Sequence, residues 1–275
     1  MSTIRLPTYY YQQFDADFSR DVPAEGYGGW KQAELELSLE HTALVVMHAW
    51  DCGTREQYPG WHRAVEYIPR ADAICRTVFP RLLAAVRASD LKLFHVVSPA
   101  PSGYYKDYPG YKKASELAGD VEPLEQVAPD PIWESLRRFR LENSFPGAHN
   151  QSDVDRGFRA LDFAPEARPQ GDEGIAENAQ QLFALCKAEG INHLIYAGFA
   201  INWCLLMSPG GMIDMSRRGL LCSALRQAVT AVENKETARS ELCKELALWR
   251  VAIAFGFVYD VDDLIRALTA NGCNQ

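Results

Sequence analysis

The chain has 275 residues, 47% of them apolar, and a formal net charge of -8. That is enough apolar material for one large α/β domain or two small ones. The acidic balance argues against a general nucleic-acid binder, which needs a basic face, and no run of about 18 or more uncharged apolar residues predicts a membrane-spanning helix.

Residues 1–40 are rich in Tyr, Gly and Pro, with Tyr9-Tyr10-Tyr11 and Gly26-Tyr27-Gly28-Gly29-Trp30. Disordered segments are poor in aromatics, so an N-terminal arm is expected, packed on the remaining domain (41–275) or on a second subunit of a homo-oligomer. Thr42–Met47 reads as the first core strand. Apolar positions at helical spacing predict a helix from Ala71 to Ser89, and Leu91–Val97 the next strand. Ser98–Val127 reads as a long loop, Asp130–Arg140 as a short helix, and 141–173 as irregular with a brief strand near Arg159–Phe163.

Helical periodicity returns from Glu173 to Ala188. Asn192–Ala197 is a strand, followed by a helix over Asn202–Arg218 that Pro209-Gly210-Gly211 should kink or break. Leu220–Leu225, Glu236–Ala254, Phe257–Asp260 and Val261–Thr269 read as strand, helix, strand and helix. This alternation predicts a three-layer α/β domain with a mostly parallel, doubly wound sheet flanked by helices.

Ligands of such sheets bind outside the carboxyl ends of the strands. The first strand ends in His48-Ala49-Trp50-Asp51. The strand at 192–197 leads through Gly198 to Asn202-Trp203-Cys204. A cysteine where a helix begins meets free N–H groups and a partial positive charge, which favour a nucleophilic thiolate; Cys204 is therefore expected to be the most reactive thiol. A small core hydrophobe is the plainer reading of a free cysteine. His48 and Asp51 converge with Cys204 if their strands are neighbours, giving a base and a group to orient it. The other readings are a hydrogen-bonded histidine at a strand end and, for Asp51-Cys52-Gly53-Thr54, a turn. Trp50, Trp203, Tyr104, Tyr105 and Tyr108 are candidates to line an apolar pocket.

The segment Gly190-Ile191-Asn192-His193-Leu194-Ile195-Tyr196-Ala197-Gly198-Phe199-Ala200-Ile201-Asn202-Trp203-Cys204, with Thr42-Ala43-Leu44-Val45-Val46-Met47, resembles the isochorismatase-like cysteine hydrolases. The resemblance runs from about residue 40 to 270. It implies a thiol-dependent hydrolase of a small amide or related C–N substrate. Cys204 would be its nucleophile, backbone N–H groups near Ile201 and Cys204 its oxyanion site, and the peptide between Ala200 and Ile201 cis. Ala200, Ile201, Trp203 and Trp50 would then border the substrate. The departures are specific. His48 stands where the family places an acid–base Asp. Arg168 is the one cation in 164–171, where the family has Lys, and Ile201 replaces its Thr. A catalytically degenerate binding or assembly protein is the competing expectation.

The family's nicotinamidases bind a metal after the second strand. Ser98-Pro99-Ala100-Pro101-Ser102 carries no His, so neither a catalytic metal nor another cofactor is expected. Seven scattered cysteines, without a C-x-x-C pair, fit a reduced cytoplasmic protein. Met1–Tyr11 lacks the basic-then-apolar pattern of a secretory leader.

Overall fold

The computed structural model describes residues 2–120 and 124–272. The aromatic-rich segment is a hairpin of two ten-residue strands, β1 (Thr3–Gln12) and β2 (Gly29–Ser38), paired antiparallel from Thr3↔Ser38 to Gln12↔Gly29. In β1 the alternate residues Ile4, Leu6 and Thr8 are buried, as a strand with one face on a core requires. The hairpin joins the main sheet at Tyr9↔Val258.

Next come β3 (Thr42–Met47), buried at every residue, and the two-residue β4 (Trp50–Asp51). The helix expected from Ala71 to Ser89 is two helices, α2 (Ile68–Thr77) and α3 (Phe79–Arg87), preceded by α1 (Pro59–Ala64). Pro80 accounts for the break, because a proline disfavours helical backbone before it and removes a helix donor. β5 (Lys92–Val96) follows. The expected long loop contains α4 (Pro109–Ala118), and three of its residues, 121–123, lie outside the described ones. The Asp130 carboxylate caps α5 (Pro131–Asn143) by accepting the Trp133 N–H at 2.8 Å.

The stretch expected to be irregular holds α6 (Gln151–Arg159) and β6 (Asp162–Phe163), the latter paired with β4. The helix predicted from Glu173 starts later, as α7 (Ala179–Glu189), because the Asn178 side chain caps it through the Gln181 N–H at 2.9 Å. The residues before it form β7 (Gly174–Ala176). After β8 (His193–Phe199) the helical stretch divides, as Pro209 predicts, into α8 (Cys204–Met207) and α9 (Met212–Ser216). β9 (Leu221–Thr230), α10 (Leu242–Ala254), β10 (Val258–Tyr259) and α11 (Val261–Gly272) complete the chain.

The main sheet has eight strands in the order β2-β1-β10-β9-β8-β3-β5-β7. The six from β10 to β7 run parallel. Leu44, Val46, Ile195 and Ala197 face one core with Phe79 and Leu82 of α3 and Leu264 of α11. Ala43, Val45, Leu194 and Tyr196 face the other with Leu182 of α7 and Leu248 of α10. The domain is thus a three-layer α/β fold with a mostly parallel sheet, as the sequence predicts. Among the described residues no helix is long and apolar enough to cross a membrane.

Candidate active site

The central pair β3 and β8 brings two of the predicted residues together. These strands are adjacent and in register, with Met47 opposite Gly198 at their carboxyl ends. The two chains approach so closely that a Cβ on Gly198 would sit 1.9 Å from the Met47 carbonyl oxygen, and Gly198 has φ +117°. Only glycine meets both demands. His48 leaves β3 with φ 53°, and its N–H donates to the Val96 carbonyl at 3.0 Å. The neighbouring chain turns at Gly198 and delivers Cys204 as the first residue of α8.

His48 and Cys204 line one cavity of ≈ 250 Å³. Trp50, Trp61, Tyr67, Phe145, Phe158 and Phe199 supply its aromatic wall, with Val65, Ile68, Ala71 and Val154 between them. Cys52, Ser98 and Ser208 are the remaining polar residues of the lining. Among the described residues no Asp, Glu, Lys or Arg borders this space. The wall is itself packed by rings. Trp50 stacks on His48 with centroids 4.6 Å apart and meets the edge of Phe158 at 5.7 Å, while Trp61 lies 5.5 Å from Phe158.

This apolar enclosure sets the state of the histidine. Burial alone pushes the His48 imidazole down to about 3, because removing water disfavours its charged form. Its Nδ1 is sealed from solvent and has no hydrogen-bond partner among the described residues. Nε2 is therefore the ring nitrogen open to the cavity. Burial likewise pushes the Tyr67 hydroxyl and the Cys52 thiol up, each also raised by negative charge nearby.

Four predicted site residues, and Arg168 with them, are placed otherwise. Asp51 is exposed, points away from the cavity, and accepts the Gly53 N–H at 2.9 Å; it shapes a turn and does not orient His48. Trp203 is 42% exposed and packs edge-on behind Phe145, with centroids 5.8 Å apart. Ala200 and Ile201 are fully buried. The Ile201 N–H is taken by the Thr230 carbonyl at 2.8 Å, so it is not free to hold an oxyanion. The cis peptide joins Phe199 to Ala200, one residue earlier than expected. Asn202 fixes this turn to the end of β9 through reciprocal bonds with Val232 of 2.8 and 2.9 Å. Arg168 is engaged at 2.7 Å with Asp162, away from the cavity.

Several wall residues carry no signal in the sequence. Trp61 and Phe158 meet because Gly157 lets α6 approach α1: a Cβ there would lie 2.1 Å from the Trp61 ring. Tyr67 precedes Ile68-Pro69, which marks a helix start but says nothing of where its ring points. Tyr105 is buried elsewhere, its hydroxyl donating to Glu177 at 2.5 Å. Among the described residues no group of three or more His, Cys, Asp or Glu could hold a metal ion. Six cysteines are free thiols; Cys273 lies outside the described residues.

No family model and no curated protein matches the sequence. Among solved structures the chain is similar to a cysteine hydrolase from Pseudomonas syringae pv. phaseolicola 1448A, with 14% identity, 86% of this chain and 95% of that chain covered, and a TM-score of 0.48. An isochorismatase-like hydrolase from Alkaliphilus metalliredigens has 19% identity over 84% of this chain and 98% of that one, also at a TM-score of 0.48. The YcaC gene product of Escherichia coli, an octameric hydrolase of unknown specificity, has 15% identity over 87% and 84%, at a TM-score of 0.40.

Proposed function

We propose that the chain is a divergent isochorismatase-like hydrolase that cleaves a small, uncharged amide or related C–N substrate at Cys204. The observation that carries this reading is the shared cavity: the thiol that opens α8 and the imidazole that follows β3 border one largely apolar space. The Cys204 sulfur attacks the substrate carbonyl carbon, and its proton passes to Nε2 of His48. Collapse of the tetrahedral intermediate breaks the C–N bond, and the imidazole returns the proton to the leaving nitrogen. Water then hydrolyses the thioester and regenerates the thiol. The preference for an uncharged substrate follows from the lining. A carboxylate or ammonium would lose its hydration without gaining a counter-ion.

A second reading has its own support. Among the described residues the lining lacks a carboxylate and a cation, and a ring held at about 3 is a weak proton acceptor. Both fit a protein that binds a ligand without turning it over. A panel of small amides separates the two. A hydrolase loses turnover in Cys204→Ser and His48→Asn while amide-induced stabilisation persists. A binding protein shows that stabilisation in all three proteins and no Cys204-dependent release of amine.

A further inference from the structure

We propose that the Tyr67 hydroxyl holds the substrate carbonyl oxygen in this cavity and donates to it as charge develops there. The inference rests on the hydrolase reading and adds a residue that the sequence does not single out. Attack at a carbonyl moves charge onto oxygen, and an enclosed site must supply a fixed donor for it. Of the two backbone donors expected for that task, the Ile201 N–H is bonded to Thr230, which leaves the Cys204 N–H to be joined by a side-chain donor. The Trp50 indole N–H is sealed from the cavity and so is His48 Nδ1. Nε2 of His48 has the thiol proton to receive.

Tyr67 meets the requirements. Its carbonyl caps the start of α2 by accepting the Ala71 N–H at 2.9 Å, which fixes the backbone from which the ring projects. It lines the cavity together with Cys204. Among the described residues its hydroxyl has no hydrogen-bond partner and is not sealed from solvent. Burial keeps the phenol protonated, and negative charge at Cys204 would act in the same direction. Ser98 and Ser208 also border the space, but an aliphatic hydroxyl is a weaker donor than a phenol, whose ordinary pKa is about 10.

Benzaldehyde is a direct probe. The Cys204 S–H adds across its C=O: an S–C bond forms, the carbonyl π bond breaks, and the proton ends on oxygen. The resulting thiohemiacetal places a tetrahedral oxygen where the intermediate has one. Methyl methanethiosulfonate is the control. It turns the thiol into a mixed disulfide and expels methanesulfinic acid without creating a carbonyl-derived oxygen. Adduct affinity is read from the loss of benzaldehyde carbonyl absorbance, and the disulfide by peptide mapping.

Tyr67→Phe should weaken the benzaldehyde adduct roughly 10- to 100-fold and change the rate of mixed-disulfide formation less than about twofold. An adduct of equal affinity in both proteins, abolished by Cys204→Ser, overturns the role of Tyr67 and leaves the reactive thiol standing. Equal loss with both reagents marks a packing effect and overturns it too. If wild-type Cys204 reacts with neither reagent, the nucleophile reading fails and takes this proposal with it.

Discussion

His48 should make the protein acid-labile in a way that can be isolated. In the unfolded chain its ring titrates near the ordinary histidine value of 6.5, whereas in the fold burial holds it at about 3. Between these values the unfolded state binds a proton that the folded state refuses, so stability is full above 6.5 and is lost as pH falls. From pH 7 to pH 5 the loss from this one ring is about 2 kcal/mol, at 1.36 kcal/mol per pH unit below 6.5. His193, pushed by burial to about 4 and bonded to Ser223 at 2.8 Å, acts in the same direction. The pair together should remove about 4 kcal/mol over this range, a large part of the roughly 5–15 kcal/mol of an ordinary domain. His48→Asn deletes the titration and suits the left-handed backbone at φ 53°. Urea unfolding at pH 7 and pH 5 should show the wild type losing about 2 kcal/mol more than the variant. Equal losses would mean that the ring is hydrated or paired in solution, and the picture of a dry cavity with a neutral imidazole would be wrong.

Gly198→Ala tests the approach of β8 to β3. The clash with the Met47 carbonyl oxygen and the positive φ together should cost more than about 3 kcal/mol, and an unchanged unfolding midpoint would refute the close approach. Helix α5 tests self-association. It buries no residue, and Ile132, Leu136 and Phe139 stand 70%, 66% and 65% exposed on one side, an apolar stripe of the kind that marks interfaces. Leu136→Asp with Phe139→Asp should lower the mass seen by light scattering without lowering the unfolding midpoint of the separated chain, and an unchanged mass would remove α5 from any interface.

The frame was legible where one physical signal dominated. β3 and β8 are apolar runs bounded by polar residues, the pattern of strands buried on both faces, and Pro209 divides the helix that follows Cys204 as expected. The short elements were not legible. β7 has three residues and β4 two, too few for alternation to register, and β7 was absorbed into the helix whose true start Asn178 sets. The site divides in the same way. Cys204 and His48 follow from strand ends, because parallel topology fixes where those ends lie. Asp51 was misplaced because a two-residue strand sends successive side chains to opposite faces: Trp50 lines the cavity while Asp51 meets solvent. The role of the Ile201 N–H is not legible in the sequence, because a backbone N–H declares its partner only in three dimensions, here the Thr230 carbonyl. Tyr67, Trp61 and Phe158 depend on how α1, α2 and α6 close over the sheet, which no local period encodes.

The missing carboxylate and the low basicity of His48 have one cause. A wall built from Trp50, Trp61, Tyr67, Phe145, Phe158 and Phe199 penalises every charge inside it. A cysteine–histidine pair that rests as thiolate and imidazolium needs an imidazole that holds the proton at working pH. A ring at about 3 holds it only in strong acid, so the imidazole here rests neutral. In the proposed hydrolysis, proton transfer then accompanies attack, when the sulfur's electrons are already committed to carbon and the negative charge appears on oxygen. On this account the donor to that oxygen matters more than an ion pair at sulfur. Replacing the donor at Tyr67 should therefore affect formation of the tetrahedral adduct, while simple disulfide exchange at Cys204 proceeds as before.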